Sequence, residues 1–229
     1  MNVLALESAT SACSAALLRD GAVAAERFRP MVRGHVEALM PMVQEVLAAA
    51  GVGFEDVDLV AVTVGPGSFT GLRTGLAAAR GVALALGLPL VGVTTLEAVA
   101  FAARAEAAGR PVLVALETRR ADLYVQRFAM SGDAPPSPET AAEALLPEAA
   151  AATAPAAPFL LAGDGAARLA AALGGRAVDI AVGTGLPHAA HVARLAAGRY
   201  RPGDRPVPPA PLYLHPPEAR LPAAGGRIR

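Results

Sequence analysis

The most constraining feature of this 229-residue sequence is a helix-forming segment, residues 68–86, in which small residues recur along one face. Steps of four separate Gly67, Gly71 and Gly75, and alanines continue the stripe. Such a stripe lets another backbone approach the helix closely. The opposite face is apolar as well, and it carries Phe69, Leu72, Leu76 and Ala83. Nearly the whole circumference of this helix is therefore expected to be buried.

Two kinds of neighbour can bury such a helix. One is the rest of the chain, including a second amphipathic helix predicted over residues 35–50, where apolar residues follow the helical period. The other is a second protein chain that packs helix on helix. We favour a subunit interface, because an exposed apolar surface of that size marks an interaction site.

Strand and helix patterns alternate along the chain. Three strands within the first thirty residues, with Asp20-Gly21 as a hairpin turn, precede strand and helix units, and the alternation restarts near Val112. This order predicts an α/β protein with two related lobes. A Pro-rich extended tail, anchored by Leu212-Tyr213-Leu214, follows the last helix. The expected boundaries are residues 1–100 for the first lobe, 101–215 for the second, 131–158 for a low-complexity insert and 216–229 for a disordered end.

Composition excludes several kinds of chemistry. All twenty cationic side chains are Arg, so Schiff-base chemistry and a Walker-type Lys are excluded. The formal net charge is zero, which argues against a chain that holds nucleic acid unaided. Cys13 is the single cysteine, and His188 and His191 lack further ligands, so no metal site is predicted. With no targeting pattern and no apolar span, we expect a cytoplasmic protein without membrane contact.

Candidate reactive groups are few. Glu7 ends the first strand and Glu117 ends the corresponding strand of the second half, so two carboxylates can face each other across an interlobe cleft and suit a magnesium–nucleotide site. Each Glu is followed by Ser or Thr, not by the Gly that would let the backbone approach a phosphate. We therefore favour an interpretation in which the two carboxylates are hydrogen-bonded in the cleft and catalyse no reaction. The turn containing Gly65, Gly67 and Ser68 offers N–H groups to an anion, although Gly and Pro before a helix are also ordinary turn chemistry. No residue is assigned a catalytic role.

Several segments, in the same order, make the chain resemble the TsaB (also called YeaZ) family. They are V-L-A-L-E-S-A-T-S-A-C-S-A-A-L, H-V-E-A-L-M-P-M-V, G-P-G-S-F-T-G-L-R-T-G-L-A-A-A-R-G, G-V-T-T-L-E-A-V-A, E-T-R-R-A-D-L-Y and P-L-Y-L. They cover most of residues 1–128 and a short anchor near Tyr213. The resemblance implies the two-lobed α/β fold of actin, sugar kinases and heat-shock proteins, the ASKHA fold.

The resemblance also implies a function. It implies a noncatalytic scaffold subunit that activates TsaD, the subunit that forms N6-threonylcarbamoyladenosine next to the anticodon of tRNA. TsaE is a further partner, tRNA is held mainly by the partners, and the isolated chain forms a homodimer. ATP and magnesium act in the partner subunits, so no cofactor is expected here. The alternative function is an active ATP-binding, kinase-like enzyme of the same fold that uses Glu7 and Glu117.

The implied docking surface lies on the two helices of the first lobe. Arg73 and Arg80, seven residues apart, are expected to form its polar rim. Its apolar part is expected to comprise Val36, Leu39, Met40, Val43, Gly71, Leu72, Gly75 and Leu76.

The implied nucleotide cleft is a vestige, and it comprises Glu7, Gly65, Gly67, Ser68 and Glu117. Two departures from the family pattern affect the expectations. Family members usually have Asp at both Glu positions, which weakens the case for a working cleft. His215 follows P-L-Y-L where Arg is usual, which weakens the case for a tail contact with acidic partners or RNA.

Overall fold

The computed structural model describes residues 1–132 and 134–215. The predicted disorder of residues 216–229 lies outside the described residues. Among the residues that are described, no helix is long and apolar enough to cross a membrane.

A five-stranded mixed sheet is the framework of the first lobe. Its first three strands are antiparallel, and Asp20 and Gly21 adopt positive φ at the predicted hairpin turn. The first strand also pairs in parallel with the fourth, and the fourth with the fifth. The strands are β1 (Asn2–Glu7), β2 (Ala12–Arg19), β3 (Ala22–Pro30), β4 (Leu59–Gly65) and β5 (Leu90–Thr94), in the order β3-β2-β1-β4-β5.

Two helices, α1 (His35–Ala50) and α2 (Phe69–Leu86), cover one face of this sheet. Both were predicted from the helical period, and both end at a glycine in the left-handed conformation. Gly51 ends α1 with φ 65°, and Gly87 ends α2 with φ 66°. The apolar stripe of each helix packs onto the sheet, so the two helices lie side by side with their other faces outward.

A central helix lies between the two sheets of the molecule. Two helices follow β5, α3 (Thr95–Ala102) and α4 (Arg104–Ala107), and they are separated at Ala103. Ala98 and Phe101 of α3 pack with the first sheet, whereas Leu96, Val99 and Ala100 pack with the second. Most of α3 is therefore buried, and it connects the two lobes.

The second lobe is built on a six-stranded sheet. Its strands are β6 (Val112–Glu117), β7 (Leu123–Ala129), β8 (Ser137–Pro138), β9 (Glu143–Leu145), β10 (Leu160–Ala162) and β11 (Asp179–Ile180). Their order is β11-β10-β6-β7-β8, and β9 also pairs with β7. Helices α5 (Pro147–Ala152) and α6 (Ala166–Ala172) belong to this lobe. The insert at 131–158 contains the expected short helix, but also β8 and β9, which are too short to show a period of two.

The last helix, α7 (Ala189–Arg199), packs on the other face of the first sheet. Ala189, Val192, Ala193 and Ala196 are fully buried there. The predicted range of the second lobe, 101–215, is therefore wrong for α7, because this helix packs on the first lobe. The physical reason is that α1 and α2 cover only one face of the first sheet, and the apolar side chains on its other face need a cover as well.

Candidate functional site

The outward sides of α1 and α2 form one continuous surface, which we call the docking face. Its exposed small and apolar residues include Val36 and Pro41 on α1 and Phe69, Ala77, Gly81 and Leu84 on α2, and polar residues such as Glu37, Gln44 and Thr70 are exposed on the same helices. Leu84 is 85% exposed and Val36 is 60% exposed, although both are large apolar side chains. A water-exposed apolar surface on two parallel-packed helices is typical of an interaction site.

Most of the residues expected to form the docking surface lie beneath it. Leu39, Val43, Leu72 and Leu76 are at most 3% exposed, and Leu39, Val43 and Leu76 belong to the core between the helices and the first sheet. Gly71 and Gly75 are buried as well. These six positions are corrected from surface residues to core residues, because the helical stripe that they form faces the chain's own sheet. Val36 is exposed, as expected, and Met40 is half-buried.

The glycine stripe on α2 has a partner within the chain. A β-carbon at Gly67 would overlap the backbone of Ala9, and one at Gly71 would overlap the carbonyl group of Ser8. A β-carbon at Gly75 would lie 2.7 Å from the Ser8 hydroxyl oxygen. The stripe thus lets α2 approach the turn between β1 and β2, which corrects its interpretation as a subunit contact.

Gly81 differs from these glycines. A β-carbon at this position would meet no atom within 4 Å, and the residue is exposed in the middle of α2. Glycine in a helix interior costs about 1 kcal/mol relative to alanine. No contact among the described residues requires glycine at position 81.

The two arginines expected at the rim of the docking surface are exposed, but the chain's own carboxyl-terminal segment holds them. The Arg80 guanidinium donates a hydrogen bond to the Pro209 carbonyl oxygen at 2.7 Å. The Arg73 guanidinium lies 3.7 Å from the centre of the Phe69 ring and donates to the Tyr213 hydroxyl at 3.3 Å. Both guanidinium groups therefore already bind groups of the same chain.

Glu7 is sealed inside the first lobe. Its side chain is 0% exposed, and its carboxylate accepts a hydrogen bond from the Ala9 backbone N–H at 2.6 Å. Burial, which disfavours the charged form, raises the pKa of Glu7 to about 8. A carboxyl group that solvent cannot reach is poorly suited to hold a magnesium ion or to exchange ligands.

Glu117 lies in a different environment at the surface of the second lobe. Its carboxylate forms an ion pair with Arg168 at 2.5 Å, and its backbone N–H donates to the Asp164 carboxylate at 2.8 Å. The structure therefore does not bring Glu7 and Glu117 together as an open pair of acids. The paired-carboxylate interpretation is wrong because one member is buried and the other is neutralised.

Some of the hydrogen-bond donors at the start of α2 already have partners within the chain. Ser68 is the N-terminal cap of α2, and its hydroxyl oxygen accepts from the Gly71 N–H at 3.1 Å. The Ser68 N–H donates to the Ala9 carbonyl at 2.7 Å. A β-carbon at Gly65 would lie 2.7 Å from the Leu212 carbonyl oxygen, so the tail passes directly over the turn. These contacts occupy the Ser68 N–H and the Gly71 N–H, which an anion at this turn could otherwise use.

The histidines have structural partners. His188 stacks on Phe28 with ring centres 4.0 Å apart and lies 3.2 Å from the Glu26 carboxylate. His191 is largely buried against Phe101, and burial lowers its pKa to about 4. Among the residues with described positions, no group of three His, Cys, Asp or Glu side chains has the arrangement of a metal site.

Two features were not predicted from the sequence. Glu97 on α3, which is 6% exposed, forms an ion pair with Arg199 on α7. The tail contacts to Arg73 and Arg80 join residues more than 120 positions apart. The P-L-Y-L anchor predicted that the tail packs on the body, but no local pattern predicts where.

The chain has two α/β lobes, and each contains a mixed sheet with parallel strand pairs and covering helices. This architecture places the chain in the ASKHA class of folds. Residues 29–144, about half of the chain, match the model of a family described as TsaD: tRNA N6-adenosine threonylcarbamoyltransferase. The structure also superimposes on YeaZ from Pseudomonas aeruginosa with a TM-score of 0.82 and 30% identity, covering 93% of this chain and 99% of that chain. The chain belongs to the TsaB (YeaZ) family, which confirms the resemblance found in the sequence.

Curated relatives agree with this assignment. The chain is 41% identical over 124 residues to the tRNA threonylcarbamoyladenosine biosynthesis protein TsaB of Escherichia coli (strain K12), covering 54% of this chain and 53% of the relative. It is 43% identical over 108 residues to the tRNA N6-adenosine threonylcarbamoyltransferase of Moorella thermoacetica, but this covers only 32% of that protein. The chain thus spans about half the length of the curated TsaB relative and a third of the transferase.

Proposed function

We propose that the chain is a noncatalytic scaffold subunit that binds and activates TsaD in the formation of N6-threonylcarbamoyladenosine in tRNA. The docking face of α1 and α2 binds TsaD, and it binds a second copy of the chain when TsaD is absent. TsaE joins the larger assembly, and the partner subunits supply ATP, magnesium and most contacts with tRNA. The family membership supports this proposal, and so does the role in threonylcarbamoyladenosine biosynthesis that the name of the Escherichia coli TsaB relative gives.

The exposed Gly81 is the observation that carries the docking part of the proposal. It lies in a water-exposed helix where alanine would be more stable, next to the exposed Ala77 and Leu84. Small residues at the centre of a helix face permit helices to pack at short interaxial distances. A partner helix laid across α2 at Gly81 would bury Leu84 and use the space that glycine leaves.

The environment of Glu7 supports the noncatalytic part. The carboxyl group is fully buried and accepts from the Ala9 N–H, and the Ala9 carbonyl in turn accepts from the Ser68 N–H. Opening this region to a nucleotide would require α2 to separate from the β1–β2 turn, against which Gly67 and Gly71 are packed.

The docking proposal is tested with two glycine variants. Gly81→Leu fills the proposed contact point, whereas Gly198→Leu fills an equally open, exposed position on α7, away from the docking face. Both changes raise helix propensity, so both variants should fold. We expect Gly81→Leu to weaken TsaD binding in calorimetry by about thirtyfold or more, as at a central interface position, and Gly198→Leu to bind like the wild type. Equal binding by both variants would contradict the docking face.

A second measurement addresses activity. In an assay with TsaD, TsaE, ATP and tRNA, Gly81→Leu should lower the yield of threonylcarbamoyladenosine in proportion to the lost complex. The active ATP-binding enzyme, our alternative, is tested by titrating the isolated chain with magnesium–ATP. Saturable binding that Glu7→Gln abolishes would support the alternative and count against the scaffold.

A further inference from the structure

Residues 206–215, which we call the strap, run from the first lobe to the second. In the first lobe, the Leu212 N–H donates to the Val64 carbonyl oxygen at 2.7 Å, in the manner of a strand contact. Arg80 on α2 donates to the Pro209 carbonyl oxygen at 2.7 Å. Pro209 is buried against Gly92 of β5, where a β-carbon would lie 2.7 Å from the proline ring. Three elements of the first lobe therefore hold the strap.

The far end of the strap is held by the second lobe. His215 Nε2 lies 2.6 Å from the Asp122 carboxylate, and its Nδ1 lies 3.0 Å from the Tyr124 hydroxyl. These partners assign Nε2–H as the donor to Asp122 and Nδ1 as the acceptor from Tyr124. Asp122 is itself held by the Thr118 hydroxyl at 2.7 Å, and Leu214 packs on the core shared by α3 and the second sheet.

Both anchor points lie where parallel strands end. Val64 is near the carboxyl end of β4, and Tyr124 pairs with Leu116 near the carboxyl end of β6. The strap thus joins the corresponding edges of the two sheets. Two other connections join the lobes: α3, which lies between the sheets, and residues 181–188, which lead from β11 back to α7. The strap is a third connection, and each added connection restricts the rotation of one lobe relative to the other.

The strap also contributes to the docking face. Tyr213 is 41% exposed and lies against Phe69, with ring centres 5.5 Å apart. The Arg73 guanidinium lies over the Phe69 ring and donates to the Tyr213 hydroxyl. Tyr213 is only two residues from His215. The position of the Tyr213 ring against α2 therefore depends on the contact that His215 makes with the second lobe.

We propose that the strap is an interlobe clamp, locked by His215 on Asp122 and Tyr124, which fixes the angle between the lobes and holds Tyr213 on the docking face. The clamp itself is a property of the free chain. Only its effect on partner binding rests on the proposed function.

The clamp is tested by measuring the distance between spin labels at Ala49→Cys on α1 and Ala171→Cys on α6, both exposed positions in different lobes. The native Cys13 is fully buried and does not take up label. We expect His215→Ala to broaden the distance distribution of the free chain. His215→Arg should keep it narrow, because a guanidinium also binds the Asp122 carboxylate.

Two further variants make the result interpretable. Arg80→Ala releases the strap at its other end on an exposed helix position, so it should fold and should also broaden the distribution. Glu139→Ala removes an ion pair with Arg127 inside the second lobe and should leave the distribution unchanged. Distributions as narrow as the wild type in both His215→Ala and Arg80→Ala would overturn the clamp.

The effect on partner binding is measured separately, with TsaD. His215 is not on the docking face, yet His215→Ala should weaken TsaD binding by about tenfold, because Tyr213 and Phe69 must then be ordered on binding. His215→Arg should restore binding. Undiminished binding by His215→Ala would overturn the role of the clamp at the docking face. If TsaD binds neither this variant nor the wild type, the proposed function fails, while the distance measurement still decides the clamp.

Discussion

Gly71 of α2 lies against the carbonyl group of Ser8, so close that a β-carbon at residue 71 would overlap the carbonyl oxygen. The contact is reinforced in the other direction, because the Ser8 hydroxyl donates to the Gly71 carbonyl at 2.9 Å. Residues 63 positions apart in the sequence are thus packed backbone to backbone. This packing seals Glu7, which immediately precedes Ser8, from solvent.

The contact predicts opposite effects for alanine at two positions of α2. Gly71→Ala should lower the free energy of unfolding by about 1–3 kcal/mol, because the rigid backbone of Ser8 must move. Gly81→Ala should raise it by about 0.5–1 kcal/mol, because the exposed position gains helix propensity without a clash. Urea denaturation of both variants measures the difference. A Gly71→Ala protein as stable as the wild type would show that α2 does not pack tightly against the Ser8 carbonyl.

The buried Glu7 predicts that stability falls as the pH rises. The pKa of this carboxyl is about 8 in the folded chain, against an ordinary value of 4.5. Between these values the unfolded chain has lost the proton and the folded chain still binds it, so the free energy of unfolding decreases with rising pH and levels off above about 8. The slope attributable to Glu7 is at most about 1.4 kcal/mol per pH unit.

Denaturation at about pH 5, 6.5 and 8 measures this slope. Glu7→Gln should remove it, since an amide does not titrate. Glu45→Gln, which alters an exposed carboxylate paired with Arg27, serves as the control and should keep it. The same slope in Glu7→Gln and in the wild type would mean that another group causes the pH dependence.

Local patterns predicted most of the fold. The helical period of the apolar residues in α1 and α2 and the Asp20-Gly21 turn are signals carried by residues close together in the sequence, and the structure confirms each of them. The departures occur where a local signal is short or absent, as in β8 and β11, which have two residues each.

Long-range pairing explains what the sequence could not predict about the site. The glycine stripe correctly indicated a close backbone approach, but glycine spacing carries no information about which backbone approaches. Arg73 and Arg80 were correctly placed on an exposed side of α2, yet their partners come from the strap, in the last part of the described chain. A helical period also cannot distinguish the face that packs on the chain's own sheet from one that packs on another protein.

The helix caps predict a matched pair of stability losses. The Ser68 hydroxyl accepts from the Gly71 N–H at the start of α2, and the Thr94 hydroxyl accepts from the Glu97 N–H at the start of α3. Each alanine variant, Ser68→Ala and Thr94→Ala, should lower the free energy of unfolding by about 1 kcal/mol. Ser68→Ala should also keep full TsaD binding, because the hydroxyl acts only as a cap. A stable Ser68→Ala chain that fails in complex formation would assign the hydroxyl a role beyond the cap.

His191 predicts a loss of stability on the acid side. Burial is the main cause that lowers its pKa to about 4, and the neighbouring His188, Arg104 and Arg194 add to it, while Glu26 acts in the opposite direction. Between the ordinary value of 6.5 and about 4, the unfolded chain binds a proton that the folded chain does not. The free energy of unfolding therefore decreases as the pH falls through this window, by at most about 1.4 kcal/mol per pH unit. NMR titration of the His191 ring should give a midpoint near 4, and His191→Phe, which keeps an aromatic ring beside Phe101, should flatten the stability profile. A midpoint near 6.5 would show that the ring is open to solvent.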